Sequence, residues 1–305
     1  MERNELVLLR LSNQYLLHAG ERMRVLRAMN GFQAQFLSNA LHAMRLCCAA
    51  YDNAHAADGL VKGWTLRGTM HIFAEADLPL FLHSGWQYRS RDWTLPSFWN
   101  QRPDWALTPQ RQAYFSDLIV DALAQGPLTR ESLKDRCRAA GMTQAEEGSI
   151  FHPWGGGIRE LCERGFLCGT VSEEKAFRLC PAFTPMEEQD ALLEQTRRYF
   201  TNYGPASIRD AAYYFGSSQA EIKKRLARLP VEAAECDGQQ LFSLHSGRMP
   251  EQAIPDCLLL AGFDPLVLGY EKKQSIFLPQ EYLRGIFSLS GIVMPPVLLH
   301  GSAAG

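Results

Sequence analysis

The sequence predicts an α+β protein, mainly helical, built as three tandem winged-helix units followed by a C-terminal β-barrel that is expected to be truncated. Three observations predict it. One pattern recurs along the chain: short amphipathic helices, then two strand-like runs around a polar or glycine-containing turn. Gly126-Pro127 and Gly204-Pro205 occupy matching places in two of the repeats, each closing a first helix and each followed by a Ser or Thr cap. From Leu258 onward the chain turns to strand-like segments, and it stops at Gly301–Gly305, just after one of them, where a barrel would be left with an unpaired edge.

The first unit (residues 1–105) reads as helices near Glu5–Leu17, Met23–Ala28 and Gln35–Ala50, then strands at Leu60–Leu66 and Thr69–Phe73 around Arg67-Gly68. A short helix at Ala76–Leu82 and an aromatic stretch from Trp86 to Trp105 complete it. The second unit (106–184) runs from a helix at Pro109–Gln125, through a Thr129-capped helix Arg130–Ala140 and a third helix Gly157–Arg164, to strands at Phe166–Thr170 and Ala176–Leu179. Gly155-Gly156-Gly157 lacks the lysine and hydroxyl of a phosphate loop and any preceding buried strand, so it reads as a helix entry. The third unit (185–255) has helices at Met186–Tyr203, Ser207–Phe215 and Ser218–Leu229, then strands around the hairpin signal Asp237-Gly238. In the barrel region (256–305), strands are expected at Leu258–Leu260, Leu266–Leu268, Ser275–Leu278, Ile292–Met294 and Val297–Leu299.

Composition narrows the function. The chain is 46% hydrophobic, ample for packed cores, and has no uncharged apolar run long enough for a membrane span and no signal-peptide plan at Met1–Glu5. A cytoplasmic protein is expected, associated with the nucleoid when bound to DNA. The eight cysteines lack paired spacings, which argues against a zinc site or a disulfide framework. No metal and no cofactor are expected. A net charge of -2 excludes a uniformly basic coat but leaves room for local cationic patches. Arg22, Arg24 and Arg27 form one cluster, Lys223, Lys224, Arg225 and Arg228 a second, and Lys272 with Lys273 a third; a solvated face is the other reading of each.

Gln33 and Gln35 point to chemistry more than any other feature. They flank Ala34 just after the turn signal Asn30-Gly31. On a regular helix residues two apart diverge by roughly 200°, so two amides could address one target only from an extended segment or a frayed helix start. The other reading makes Gln33 a decoration of the helix carrying Phe36, Leu37, Ala40, Leu41 and Met44.

Four stretches together resemble the AlkZ/AlkX-like DNA glycosylases: Gly31-Phe32-Gln33-Ala34-Gln35, Leu66-Arg67-Gly68-Thr69-Met70-His71, Tyr203-Gly204-Pro205-Ala206-Ser207, and Gly262-Phe263-Asp264-Pro265-Leu266-Val267-Leu268-Gly269-Tyr270. The resemblance covers nearly the whole chain, although family members continue past the position of Gly305 to complete the barrel. It implies excision of bulky N7-alkylated purines, crosslinks included, from double-stranded DNA by a monomer. The family motif is Gln, any residue, then Gln or Asp, which makes Gln33 and Gln35 the catalytic pair. An amide does not titrate near neutral pH, so the second Gln is expected to position a water rather than to act as a base. Arg67, Thr69 and His71 would belong to a DNA-contacting wing, although a satisfied strand histidine is equally open for His71. Lys272 and Lys273 suit phosphate contacts, and Lys223, Lys224, Arg225 and Arg228 fall on the presumed recognition helix of the third unit. Trp86, Trp93, Trp99 and Trp105 could stack on bases or pack in cores. The rival functions are a winged-helix regulator that binds DNA without cutting it and a protein-interaction scaffold.

Overall fold

The computed structural model describes residues 1–244 and 249–304, except for the side chain of Trp86. The first stretch contains α1 (Arg3–Asn13), α2 (Arg22–Ala28), β1 (Phe32–Gln33), α3 (Leu37–Cys47), β2 (Leu60–Trp64), β3 (Met70–Ala74) and α4 (Leu78–Phe81). The second contains α5 (Pro109–Leu123), β4 (Leu128–Thr129), α6 (Arg130–Ala139), α7 (Gln144–Ile150), α8 (Gly156–Glu163), β5 (Leu167–Gly169) and β6 (Ala176–Leu179). The third contains α9 (Glu188–Asn202), α10 (Ile208–Phe215), α11 (Gln219–Leu226), β7 (Glu232–Cys236) and β8 (Gln239–Ser243). The C-terminal stretch contains β9 (Cys257–Leu259), α12 (Pro265–Leu268), α13 (Leu283–Ile286), β10 (Val297–Leu299) and β11 (Ser302–Ala303).

Local chemistry sets most of these boundaries. Thr129, Ser207 and Ser218 cap α6, α10 and α11 by accepting the backbone N–H three residues on. Helix α7 was not expected, although Thr143 and Glu146 form a capping box at its start, a signal present in the sequence. Asp237 and Gly238, both at positive φ, turn β7 into β8.

The hairpins of the first two stretches are not independent. Lys62 pairs with Gly169, so β2 and β5 join the strands into one six-stranded antiparallel sheet of order β1-β3-β2-β5-β6-β4. A Cβ on Gly169 would lie 3.1 Å from the Lys62 carbonyl oxygen, so the two backbones meet where a side chain would crowd them. The packing is shared unevenly. Phe32, Ile72, Tyr199, Tyr203, Tyr270 and Phe277 belong to one core spanning the first, third and C-terminal stretches, whereas Phe115, Leu133, Ile150 and Ile158 build a second core. Each such side chain, fully buried, contributes roughly 1.5–3 kcal/mol relative to exposure. A buried ion pair ties the same stretches together: Arg198 on α9 holds Asp77 through two hydrogen bonds of 2.7 and 2.9 Å, and the exposed Arg27 on α2 joins at 3.2 Å.

The expected barrel is replaced by an open three-stranded antiparallel sheet, β11-β10-β9; among the described residues no sheet closes on itself. Three expected strands take other forms. Leu266–Leu268 lies in α12, because the Asp264 carboxylate accepts the Leu266 N–H at 2.9 Å and Pro265 has its ring at the first helical position. Ser275–Leu278 runs as turns, and only Val293 of the segment Ile292–Met294 makes a β-bridge, to Phe287. No helix is long and apolar enough to cross a membrane among the described residues.

Candidate active site

The segment carrying the two glutamines is extended. Asn30 and Gly31 end α2 with φ of 56° and 79°. Gly31 is required there, since a Cβ would sit 2.5 Å from the Ile72 carbonyl oxygen. The buried Asn30 amide donates to the Gln195 carbonyl at 3.1 Å, which locks the turn to α9. Strand β1 then pairs with β3, Phe32 opposite Ile72 and Gln33 opposite His71, and the Ala34 N–H donates to the Met70 carbonyl at 2.7 Å. Phe32 and Ala34 are buried, so the alternation of an extended chain turns Gln33 and Gln35 to the other side. Helix α3 starts only at Leu37, after an extended Phe36, and not at Gln35 as the apolar periodicity suggested.

The two amides end in different surroundings. The Gln33 Oε1 accepts from Arg67 Nη2 at 3.0 Å. Arg67, at φ 55° in the turn between β2 and β3, also donates through Nη1 to the Tyr214 carbonyl on α10, with its guanidinium 5.5 Å from the Tyr214 ring centre. His71 is buried beside Gln33; its Nδ1 lies 3.1 Å from the Thr69 carbonyl, which can only accept, so Nδ1 carries the proton. Burial, reinforced by the Arg67 charge, pushes the imidazole down to about 3 and keeps it neutral. The Thr69 hydroxyl donates back to the Leu66 carbonyl at 3.0 Å.

Gln35 is exposed, makes no side-chain hydrogen bond among the described residues, and lines a cleft of about 330 Å³ over the β2–β5 junction. Lys62, Trp64, Thr69, Arg130 and Trp154 line it too. The Lys62 ammonium is pulled below its usual range by burial and by nearby Lys175. Arg130 is fixed by the carbonyls of Phe151 and His152 at 2.6 and 2.9 Å. Gln33 does not line this cleft. Its partner Arg67 lines a neighbouring cavity of about 300 Å³ with Glu188, Gln195 and Arg225, and Gly68 borders both spaces.

Of the other expected contacts, Lys223, Lys224 and Arg228 are exposed on α11 or just beyond it; Lys224 pairs with Glu221 at 2.9 Å, and Arg228 lies 3.8 Å from Asp190. Arg225 faces the other way, half-buried, toward Arg67. Lys272 lies over the Phe287 ring at 5.2 Å, and Lys273 is exposed beside it. The tryptophans follow the packing alternative wherever they are described. Trp93 and Trp99 are buried and Trp105 packs against the second core, while the side chain of Trp86 lies outside the described residues. The indoles that reach the cleft are Trp64 and Trp154, which no spacing rule singled out.

The four stretches that carry the family resemblance meet in space. Arg67 holds Gln33, Phe263 packs its ring 5.9 Å from that of Phe36, and a Cβ on Gly262 would lie 2.7 Å from the Asn39 amide on α3. Tyr270 donates to the Tyr203 carbonyl at 2.8 Å, and the Tyr203 hydroxyl reaches the Met29 carbonyl at 3.2 Å. Residues 26–305 match the family described as DNA glycosylase AlkZ-like. The chain belongs to the AlkZ-like DNA glycosylase family. It is therefore one of the hydrolases that act on N-glycosyl bonds. A curated relative, the interstrand DNA cross-link repair glycosylase of Streptomyces sahachiroi, is 28% identical over 300 residues, covering 90% of this chain and 78% of that protein. The solved structure of Streptomyces sahachiroi DNA glycosylase AlkZ shares the fold, with a TM-score of 0.78 at 23% identity over 99% of this chain and 86% of that one.

Proposed function

We propose that the enzyme releases N7-alkylated purines from double-stranded DNA, including purines tied into interstrand crosslinks, with Gln35 holding the attacking water and Gln33 orienting that water or the sugar. The observation that carries this reading is the extended segment, which puts both amides on one side, one free in a cleft and the other aimed by Arg67. The curated relative's printed role in crosslink repair supports the substrate class.

The chemistry asks little of an acid. An N7-alkylated purine already carries positive charge; when the bond from its N9 to the sugar breaks, the electron pair neutralises the departing base and leaves an oxocarbenium-like sugar. Water adds to the anomeric carbon and releases its proton to solvent, giving an abasic site. Neutral amide oxygens can accept hydrogen bonds from that water and face the developing cation with their dipoles, a preorganised contribution of about 3–4 kcal/mol on the scale of one such group. The neutral His71 cannot serve as a general acid at physiological pH, which suits a leaving group that needs none.

The DNA grip is assigned, on the same reading, to Lys223, Lys224, Arg225, Arg228, Lys272, Lys273 and the wing around Arg67, Thr69 and His71. Helices followed by the hairpins β2–β3, β5–β6 and β7–β8 support taking residues 1–105, 106–184 and 185–255 as winged-helix units. Incubation with a duplex carrying one N7-methylguanine tests the activity: free base and an alkali-labile abasic site are expected, and neither forming above the spontaneous rate overturns it.

A further inference from the structure

The cleft beside Gln35 combines two chemistries that the water-positioning role does not use. Lys62, Arg130, Arg159 and Lys175 line it against one carboxylate, Glu174. Trp64, Trp154 and Phe177 supply aromatic surface, and Trp154 is 70% exposed at the rim although it is among the largest apolar side chains of the protein. Its position is built. The preceding residues, Phe151 and His152, are held by Arg130, and the next residue, Gly155, sits at φ 138° with no room for a side chain, since a Cβ would lie 2.6 Å from that of Arg159. Arg159 is itself fixed by Glu163 at 2.7 Å and lies 6.0 Å from the Trp64 ring centre.

A surplus of cations repels the positively charged purine that the enzyme is proposed to release, so the cleft is ill suited to that base. Cationic side chains alternating with open indoles instead match an uncharged base stacked on an aromatic ring with its phosphate held nearby. We propose that this cleft takes an unstacked, undamaged nucleotide of the DNA next to the lesion, its base stacking on Trp154 and its phosphate held by Lys175 and Arg130. Unstacking a neighbour would open the duplex beside Gln35 and let the amide reach the anomeric carbon without extruding the lesion. That last step rests on the glycosylase reading; the nucleotide site itself does not.

The test uses undamaged DNA and involves no bond cleavage. The full chain is titrated against a short duplex with 2-aminopurine in a two-nucleotide mismatch bubble and against the same duplex fully paired. The unmodified protein should bind the bubble about tenfold more tightly, as expected from one base–aromatic stack, and quench the 2-aminopurine emission. Trp154→Ala should lose both the preference and the quench while binding the paired duplex as before, and Trp154→Phe should keep most of each. Because Trp154 is exposed, an unchanged far-UV spectrum and melting temperature are expected and show that the variant is folded. A bubble preference and quench that survive in Trp154→Ala, or that are absent from the unmodified protein, overturn the proposal. Either failure leaves base release from damaged DNA to be judged by its own assay.

Discussion

Two hairpins of the same sheet flank the cleft, β2–β3 and β5–β6, and they are held in different ways. The turn of the first is anchored by contacts distant in sequence: Arg67 reaches Gln33 and the Tyr214 carbonyl. The turn of the second is held mainly by its own residues, Thr170 with Ser172 at 2.8 Å and Ser172 with the Glu174 carbonyl at 3.1 Å; its one distant hydrogen bond among the described residues is a backbone bond, the Arg130 N–H donating to the Lys175 carbonyl at 3.0 Å, and residues 172–175 are exposed. The first turn therefore determines where Gln33 points, and shifting it moves the proposed chemistry. The second carries charge to the rim, through Lys175 and Glu174, where it can bear on DNA, and can change without moving Gln33.

Substitutions break this contrast in graded ways. Arg67→Ala removes a charge-assisted hydrogen bond of about 1.5–3 kcal/mol, so single-turnover base release should fall about 10- to 150-fold; duplex affinity falls as well, because this turn is part of the assigned DNA grip, but by a smaller factor. Gly31→Ala forces a side chain into the left-handed region against the Ile72 carbonyl; chemical denaturation should show a loss of about 1–3 kcal/mol. Lys175→Ala, on the second hairpin, should lower the single-turnover rate far less than Arg67→Ala does and lower the log–log salt slope of DNA binding by about 0.9, as for one lost phosphate contact.

The pH dependence sharpens the first hairpin's role. His71 binds its proton at about 3 in the folded protein against an ordinary 6.5, so between these values the unfolded chain holds more protons. Stability from this group is complete above about pH 6.5 and is lost as the pH falls toward 3. His71→Gln should flatten that part of the acid-denaturation curve. Because neither glutamine titrates and His71 stays neutral, single-turnover release should be level from about pH 5.5 to 8.

What could be read from residues alone divides along the same line. Caps and turns are local, and Thr129, Ser207, Ser218 and Asp237-Gly238 mark the structure where the sequence places them. Asp264-Pro265 is also a local helix signal, but the apolar run Leu266–Leu268 suggests a strand; cap and proline prevail over hydrophobicity. The start of α3 shows the opposite failure. Helical periodicity through Phe36 is real, but pairing of β1 with β3, a contact across about forty residues, draws the chain out through Gln35. The joined sheet rests on Lys62 opposite Gly169, and the cleft exists only because of it, so Trp64 and Trp154 carried no sign of their place. The family signature was legible as four separate stretches, whereas their convergence around Gln33 and Phe36 was not.

The most direct test of the central claim compares Gln35→Ala with the unmodified enzyme in single-turnover release of N7-methylguanine from a duplex, with binding of the same DNA measured in parallel. Loss of one preorganised polar group should slow release by about two to three orders of magnitude and leave the dissociation constant within about twofold. Release at the unmodified rate, or a loss of release matched by an equal loss of binding, would contradict the assignment of Gln35 to the water.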